Sequence, residues 1–556
     1  MKKRMTGAQA IVEVFRLEAV EYVFCVPGES YLPLMDAIYD EKSIQLISTR
    51  HEGGAAFMAE AYAKATGKPG IAMATRGVGG ANLAIGIHTA YQDSTPMVVF
   101  LGQVNSKFRG REGFQEVDLD QFFGHITKWA VEVKDAERMG EIVQRAFRVA
   151  KSGRPGPVVV SLPEDVLSDV AEVTFGPTAK VPTPRPSQLD LVEIAKLLTK
   201  ARKPLVIAGG GIKLSGAEEE LIAFCEKYHL PVMSSFRRHD VFPNQHPLYV
   251  GQSGLGTHKD ILDTIRQADT IIAVGTRLSE VTTQDYSIFN HQPTMIHIDI
   301  DYSVLGKVYA PDMGVVADAK EALKDLLDLD QYGLNPSWKD WAKERRLAYE
   351  TATKLEVAET NEPFVNPKYV IKTMQEMLPE NAIITNDAGN FAGWLHAFYQ
   401  FKQKNTYIGP TSGAMGYGLP AAIGAKLGQP DRTVVSLSGD GGFMMTVQEL
   451  ETAVRYHVPI ISLVFNNNMY GTIRMHQELV FPEREIGTAL GEVHFEEVAR
   501  SLGVTSFRVT TNQEFEQAFK KALTLNKPVL IEIKTNPEQI SVHATISQLR
   551  ERARNK

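Results

Sequence analysis

One carboxylate in a glycine turn, Ser438-Gly439-Asp440-Gly441-Gly442-Phe443, followed by the triplet Asn466-Asn467-Asn468, constrains this chain more than any other feature. Each stretch ends an apolar, β-branched run of strand type: Thr433-Val434-Val435-Ser436-Leu437 before the first and Pro459-Ile460-Ile461-Ser462-Leu463-Val464-Phe465 before the second. About a dozen residues of helical pattern separate them, which predicts two neighbouring parallel strands joined by a helix. Thr446-Val447-Gln448-Glu449 reads as the capping box that opens this helix. A carboxylate and three amides therefore arrive at one sheet edge, in a turn whose glycines let backbone N–H groups approach an anion closely.

A single carboxylate with amide oxygens, and neither His nor Cys, is a poor zinc site and a suitable magnesium site, completed by water and phosphate oxygens. Each piece alone is equally readable as a tight turn or a strand cap. Together, 27 positions apart and followed by Tyr470-Gly471, they resemble the signature of thiamine diphosphate-dependent enzymes. The resemblance implies that Asp440 and Asn467 bind magnesium by side chain and Met469 by its carbonyl. It also implies that Gly439, Gly441, Gly442, Tyr470 and Gly471 line the diphosphate.

The remainder of the chain reads as α/β, with three doubly wound parallel-sheet domains over 1–176, 187–330 and 362–540. In the first, Tyr22-Val23-Phe24-Cys25-Val26, Gln45-Leu46-Ile47-Ser48, Ile71-Ala72-Met73-Ala74-Thr75 and Met97-Val98-Val99-Phe100-Leu101 each end in glycine or polar residues. A proline-rich linker covers 177–186, and a second boundary, with a charged helical run over 338–359, falls within 329–365. The run 527–533 echoes 154–162, hinting that the outer segments share an architecture. Gly209-Gly210-Gly211 after a strand looks like a nucleotide turn without being the full fingerprint. After Pro537 the tail is polar and is expected to order only against a partner.

A net charge of −7 without long single-sign runs gives no footprint for nucleic acid or an anionic membrane. Cys25 and Cys225 lie in apolar segments and read as reduced core thiols in a cytoplasmic protein. The basic start is followed by Glu13, Arg16 and Glu18, so no secretion signal is expected, and no apolar run is long enough for a membrane span.

Glu52, at a strand-to-helix junction followed by small and apolar residues, is the candidate for proton transfer, with desolvation raising its pKa. The competing reading is a helix-dipole partner. The stretch 50–70 around it resembles the pyrimidine-side motif of the acetolactate synthase and pyruvate oxidase branch. Val26-Pro27-Gly28-Glu29, residues 96–104, Phe114-Gln115-Glu116 and residues 411–424 match the same branch. This resemblance implies that Glu52 is catalytic and that Pro27, Gly28, Asn390, Ser412, Gly413 and Met415 contact the cofactor, Met415 bending it. It further implies a site shared between chains, hence a homodimer or homotetramer.

Two departures from the acetolactate synthase pattern, Arg76 and His476, place a cationic and a titratable group near the expected substrate. Arg76 suits bidentate capture of a carboxylate, or an ion pair; His476 reads as a donor to a substrate carbonyl, or as packing. Gln103 is a candidate donor to a developing alkoxide, and Phe114 and Gln115 are expected beside the substrate. His297-Ile298-Asp299-Ile300-Asp301 resembles the adenosine-side strand of relatives that bind FAD or ADP, but the neighbouring Gly275-Thr276-Arg277-Leu278-Ser279-Glu280 departs from the flavin pattern, so FAD is the weaker reading. The expected function is decarboxylation of a pyruvate-like 2-oxo acid with ligation to a second carbonyl. The alternatives are a simple 2-oxo acid decarboxylase, a flavin-linked oxidase, or a non-catalytic nucleotide-binding protein.

Overall fold

The computed structural model describes residues 2–178, 180–289, 291–336, 338–357 and 363–554. Three parallel six-stranded sheets dominate it. In space the first runs Gln45–Ser48, Tyr22–Cys25, Gly70–Thr75, Met97–Gln103, Pro157–Pro163, Trp129–Glu132. The third runs Tyr407–Ile408, Ile383–Asn386, Val434–Gly439, Ile461–Asn466, Val529–Lys534, Thr505–Val509. Counting strands within each sheet, both follow the order 2-1-3-4-6-5, so the short echo between residues 154–162 and 527–533 reports a shared topology.

The central sheet differs. Its order, Tyr249–Gln252, Val232–Ser234, Pro204–Ala208, Thr270–Val274, Thr294–Asp299, Met313–Val316, is 3-2-1-4-5-6, that of a dinucleotide-type doubly wound sheet. In all three, ligands are expected where the strand order reverses, outside the carboxyl ends. In the first sheet that crevice opens after Tyr22–Cys25 and Gly70–Thr75, at Pro27, Gly28 and Arg76. In the third it opens after Ile383–Asn386 and Val434–Gly439, at Asp387 and Asp440.

The outer sheets pack against each other within the chain. Helix Glu52–Thr66 is buried over most of its length and crosses helix Gly418–Gly428 so closely that a Cβ on Gly424 would lie 2.1 Å from the Met58 carbonyl. A single apolar core, holding Ala55, Ala56, Phe57 and Met58 with Tyr417, Leu419, Ala421 and Ala422, spans this crossing. An ionic knot lies beside it. Buried Asp93 accepts from Lys64 Nζ at 2.8 Å, from Arg238 Nη2 of the central sheet at 3.0 Å and from the Thr411 amide at 3.1 Å. Lys64 and Arg238 hold the Asp93 carboxyl well below its ordinary range against the opposing effect of burial.

Several expectations are corrected. Residues 446–449 form no capping box: the helix is Glu449–Arg455, its N-cap Gln448 makes no side-chain bond, and Thr446 Oγ1 donates to the Gly416 carbonyl at 2.8 Å. The polar tail orders on its own chain, as helix Ile546–Arg554, because Ile540, Ala544, Ile546 and Leu549 form a small core and Arg550 pairs with buried Glu478. The charged run 338–359 is helical over Lys339–Ala352; residues 358 and 359, and the proposed start at 362, lie outside the described residues. The basic N-terminal stretch forms strand Lys2–Thr6, antiparallel to Val170–Thr174. Both cysteines are buried. Among the described residues no helix is long and apolar enough to cross a membrane.

Candidate active site

Asp440 starts the short helical turn Asp440–Phe443 directly after strand Val434–Gly439. Its Oδ1 accepts from the Gly441 amide at 2.7 Å and its Oδ2 from the Asn467 amide at 3.1 Å, which joins the two motifs. Burial raises its pKa, while the amides of Gly441, Asn468, Asn467 and Met469 oppose the shift. The glycines are sterically required: a Cβ on Gly441 would lie 2.4 Å from the Tyr470 ring, and one on Gly442 2.8 Å from Asp387 Oδ2.

The triplet divides its labour. Asn466 is fully buried and donates through Nδ2 to Glu532 Oε1 at 2.8 Å, so its amide belongs to the sheet. Asn468 takes φ +56, a left-handed value asparagine tolerates, and its amide donates to Asn466 Oδ1 at 3.2 Å. Asn467 is left beside Asp440 with its side chain half-exposed. Met469 is bridged to Ala489, and Gly471 opens the helix Gly471–Val480. Asn390 closes the group, donating to the Ile540 carbonyl at 2.9 Å and accepting from Thr472 Oγ1 at 3.0 Å.

This donor set fits a hard cation: one carboxylate and a neighbouring amide, in a glycine cradle that side chains would fill. Among the described residues no cluster of three or more His, Cys, Asp or Glu is arranged to hold a metal, so most of the coordination shell would come from phosphate and water.

The second group lies on the first sheet. Glu52 is the first residue of helix Glu52–Thr66; Asn82 Nδ2 donates to its Oε2 at 2.9 Å, and Gly79 leaves room beside Oε1, where a Cβ would sit at 3.2 Å. Gly28 is needed because a Cβ would strike the Thr75 side chain at 2.7 Å; Pro27 precedes it in the same turn. Gln103 is fully buried, donating to the Val117 carbonyl at 2.8 Å and accepting from the Val104 amide at 2.9 Å. Phe114 is 71% exposed, Gln115 half-buried at φ +62.

Arg76 is buried and already neutralised: Nη1 donates to Glu29 Oε1 at 3.1 Å and to the Phe114 carbonyl at 3.3 Å, and Nη2 pairs with Glu164. Of its two expected roles, the ion pair is the one present. His476 lies on the exposed face of helix Gly471–Val480. Gly413, at φ +71, and half-buried Met415 follow Ser412, whose hydroxyl meets Thr89 Oγ1 at 3.0 Å.

The structure therefore assembles two half-sites. Among the described residues no hydrogen bond or ion pair joins Glu52, Arg76, Gln103, Phe114 or Gln115 to Asp440, Asn467, Tyr470, Asn390 or His476. Sequence reasoning passed over Asp387, whose Oδ1 accepts from the Gly418 amide at 2.6 Å while its buried Oδ2 has no partner; burial pushes its carboxyl up to about 6. It also passed over Asn82, which belongs to no short motif, and read Glu449 only as part of a capping box.

Three domain descriptions match. Residues 5–122 match the thiamine pyrophosphate enzyme N-terminal TPP binding domain, 191–326 the central domain and 387–533 the C-terminal TPP binding domain. The chain belongs to the thiamine pyrophosphate enzyme family. Within that family it is 36% identical over 550 residues to a Methanocaldococcus jannaschii protein named "Probable acetolactate synthase large subunit", covering 96% of this chain and 93% of that one. It is 34% identical over 545 residues to the "Acetolactate synthase large subunit" of Lactococcus lactis, covering 96% and 93%. With the protein of the same name from Haemophilus influenzae it shares 31% identity over 580 residues, covering 100% and 98%. The two half-sites fall in the two TPP binding domains of this thiamine pyrophosphate enzyme.

In the central domain the three glycines have a packing explanation. The Gly209 amide donates to the Val274 carbonyl and the Gly211 amide to the Gly275 carbonyl, both at 2.9 Å, and a Cβ on Gly209 would lie 2.2 Å from Gly275 O. Two of the turn's amides are thus spent on the neighbouring strand end. A cleft of about 440 Å³ adjoins the turn, with Asp299 on its wall; burial pushes that carboxyl up to about 6.

Proposed function

We propose that the chain is a thiamine diphosphate- and magnesium-dependent carboligase of acetolactate synthase type, which decarboxylates a pyruvate-like 2-oxo acid and joins the remaining acyl unit to a second carbonyl. The full-length similarity to acetolactate synthase large subunits carries this reading. The Asp440 turn and the Glu52 junction in the two TPP binding domains support it.

Asp440, Asn467 and the Met469 carbonyl would hold the magnesium ion, with Gly439, Gly441, Gly442, Tyr470 and Gly471 against the diphosphate. Thiamine diphosphate, when bound, supplies the electron sink that makes loss of carbon dioxide possible. Glu52 presents Oε1 as the oxygen for proton exchange, since Oε2 accepts from Asn82. Asp387, by accepting the Gly418 amide, and Thr446, by donating to the Gly416 carbonyl, fix the segment carrying Ser412, Gly413 and Met415. Gln103 has one amide hydrogen left after Val117 with which to meet a developing alkoxide. His476, exposed on its helix, would face the substrate from the other half-site.

A second copy would complete the site, since among the described residues no hydrogen bond or ion pair joins the two half-sites within one chain. Apolar side chains flank both: Val78, Ile85 and Phe114 on one side, and Met444, Ile473 and Phe481 on the other, all exposed. A homodimer, or a pair of dimers, would cover them. The ligation involves no net redox change, so the proposed reaction does not require a flavin. The test is to supply the purified protein with thiamine diphosphate, magnesium and pyruvate. Acetolactate is the expected product; aldehyde or peroxide would reassign the chain to a decarboxylase or an oxidase, and silence would point to another 2-oxo acid.

A further inference from the structure

The loop 113–117 lies across the carboxyl ends of two adjacent strands, Gly70–Thr75 and Met97–Gln103, at the ligand edge of the first sheet. Three of its carbonyls are taken by groups at those ends. The Phe114 carbonyl accepts from Arg76 Nη1 at 3.3 Å, the Gln115 carbonyl from the Gly77 amide at 3.2 Å and the Val117 carbonyl from Gln103 Nε2 at 2.8 Å. Glu116, between them, turns inward and accepts the amides of Gly110 and Gly113 and the Arg109 guanidinium. The loop is thus internally folded and then tied down, leaving the Phe114 ring exposed above the edge.

The charge that ties it down is spent. Arg76 is 8% exposed and lies between two carboxylates, Glu29 and Glu164, whose side chains are 66% and 33% exposed. A third anion would find Nη1 and Nη2 already engaged and the partnerless Nε sealed from solvent, beside two carboxylates that outnumber the cation. Arg76 also sits at φ +42 and faces Gln115 at φ +62. Two non-glycine residues in left-handed backbone, held against each other, mark a conformation that the surrounding contacts enforce.

We propose that Arg76 is a positioning residue. It staples the loop carrying Phe114 and Gln115, and through Val117 the Gln103 amide, over the substrate edge, and it does not receive a substrate carboxylate. This rests on the proposed carboligase reading only for which edge faces substrate; the contact itself is testable in the resting protein.

The experiment is hydrogen–deuterium exchange on the full-length protein with magnesium and thiamine diphosphate, comparing wild type, Arg76→Met and Arg76→Lys. Lysine keeps the charge but cannot span Glu29, Glu164 and the Phe114 carbonyl with one nitrogen. Both variants are expected to exchange about tenfold faster at the Gly77 and Glu116 amides, as loss of a charge-assisted bond implies, with cofactor affinity unchanged. KM for the acceptor should rise equally for a 2-oxo acid and for an aldehyde. Arg76→Lys serves alone if Arg76→Met does not fold. Unchanged exchange in the variants overturns the assignment, and so does a defect confined to acid-bearing acceptors, which would return Arg76 to carboxylate capture. The exchange result is independent of whether the chain forms acetolactate.

Discussion

Glu449, from the third sheet, accepts the backbone amide of Arg50, from the first, at 3.2 Å through Oε1, two residues before Glu52. Thr452 Oγ1 donates to its other oxygen at 2.7 Å, and Gly54 is glycine because a Cβ would lie 2.5 Å from Oε1. A carboxyl of one domain thus anchors the residue before His51, the N-cap of the helix that carries the proton-transfer candidate of another.

Burial pushes Glu449 up to about 7, against the Thr452, Arg50 and His51 donors, with nearby Glu451 adding to the rise. The folded state therefore holds this proton more tightly than the unfolded chain, and its contribution to stability is fully present below about pH 4.5 and lost as pH rises to about 7. Glu449→Gln, neutral throughout, should remove this slope and raise stability at pH 8 relative to wild type by ~1–3 kcal/mol. Denaturant melts at pH 5 and pH 8 measure it; parallel slopes for both proteins would exclude Glu449 as the titrating group.

Glu52→Gln retains the Asn82 contact but cannot exchange a proton on Oε1. Turnover is expected to fall at least about a hundredfold, while thiamine diphosphate titrates with nearly unchanged affinity. An unaltered rate would remove Glu52 from the chemistry.

The asparagine triplet offers a sharper contrast. Asn467→Ala, like Asp440→Ala, should weaken magnesium and thiamine diphosphate affinity together and leave the apo-protein melt largely intact. Asn466→Ala should do the reverse. Losing the Asn466 amide leaves the buried Glu532 Oε1, among the described residues, with only Arg508 Nε at 3.9 Å, destabilising the fold by ~1–3 kcal/mol. Calorimetric titration with matched melts would show whether the two asparagines separate in this way.

Much of this arrangement is legible in the sequence because strand ends are punctuated. Strand Gln45–Ser48 coincides with the apolar run that predicts it and Tyr22–Cys25 ends one residue short of its run, and Asp440 and Glu52 stand out because glycine surrounds one and small residues follow the other. Long-range partners carry no such mark. Asn82 reaches Glu52 across 30 residues and Glu449 reaches Arg50 across 399; only the packing of helix on helix determines those meetings. Thr446 and Glu449 show the cost of a local rule: their spacing spells a capping box, yet tertiary partners, Gly416 for one and Arg50 for the other, claim both side chains. Arg76 was readable as a cation near the substrate edge, but Glu29 and Glu164 lie 47 and 88 residues away, so its neutralisation was not.

The crossing that brings these partners together yields the last prediction. Helices Glu52–Thr66 and Gly418–Gly428 approach closely because small residues face each other, and Gly424 sits at the contact, where a methyl group would lie 2.1 Å from the Met58 carbonyl oxygen and 2.8 Å from its carbon. Backbone cannot yield as a flexible side chain would, so Gly424→Ala must push the helices apart and strain the core on both sides. The expected loss is about 1–3 kcal/mol, as for overpacking. Because Glu449 and Glu52 depend on the same crossing, the variant should also lose activity more steeply with temperature than wild type. Gly491→Ala, where an added methyl group meets nothing within 4 Å, is the control and should melt within about 0.5 kcal/mol of wild type. Equal melting of the two variants would mean that the helices can separate at no cost, and that the interdomain contact does not hold Glu52 in place.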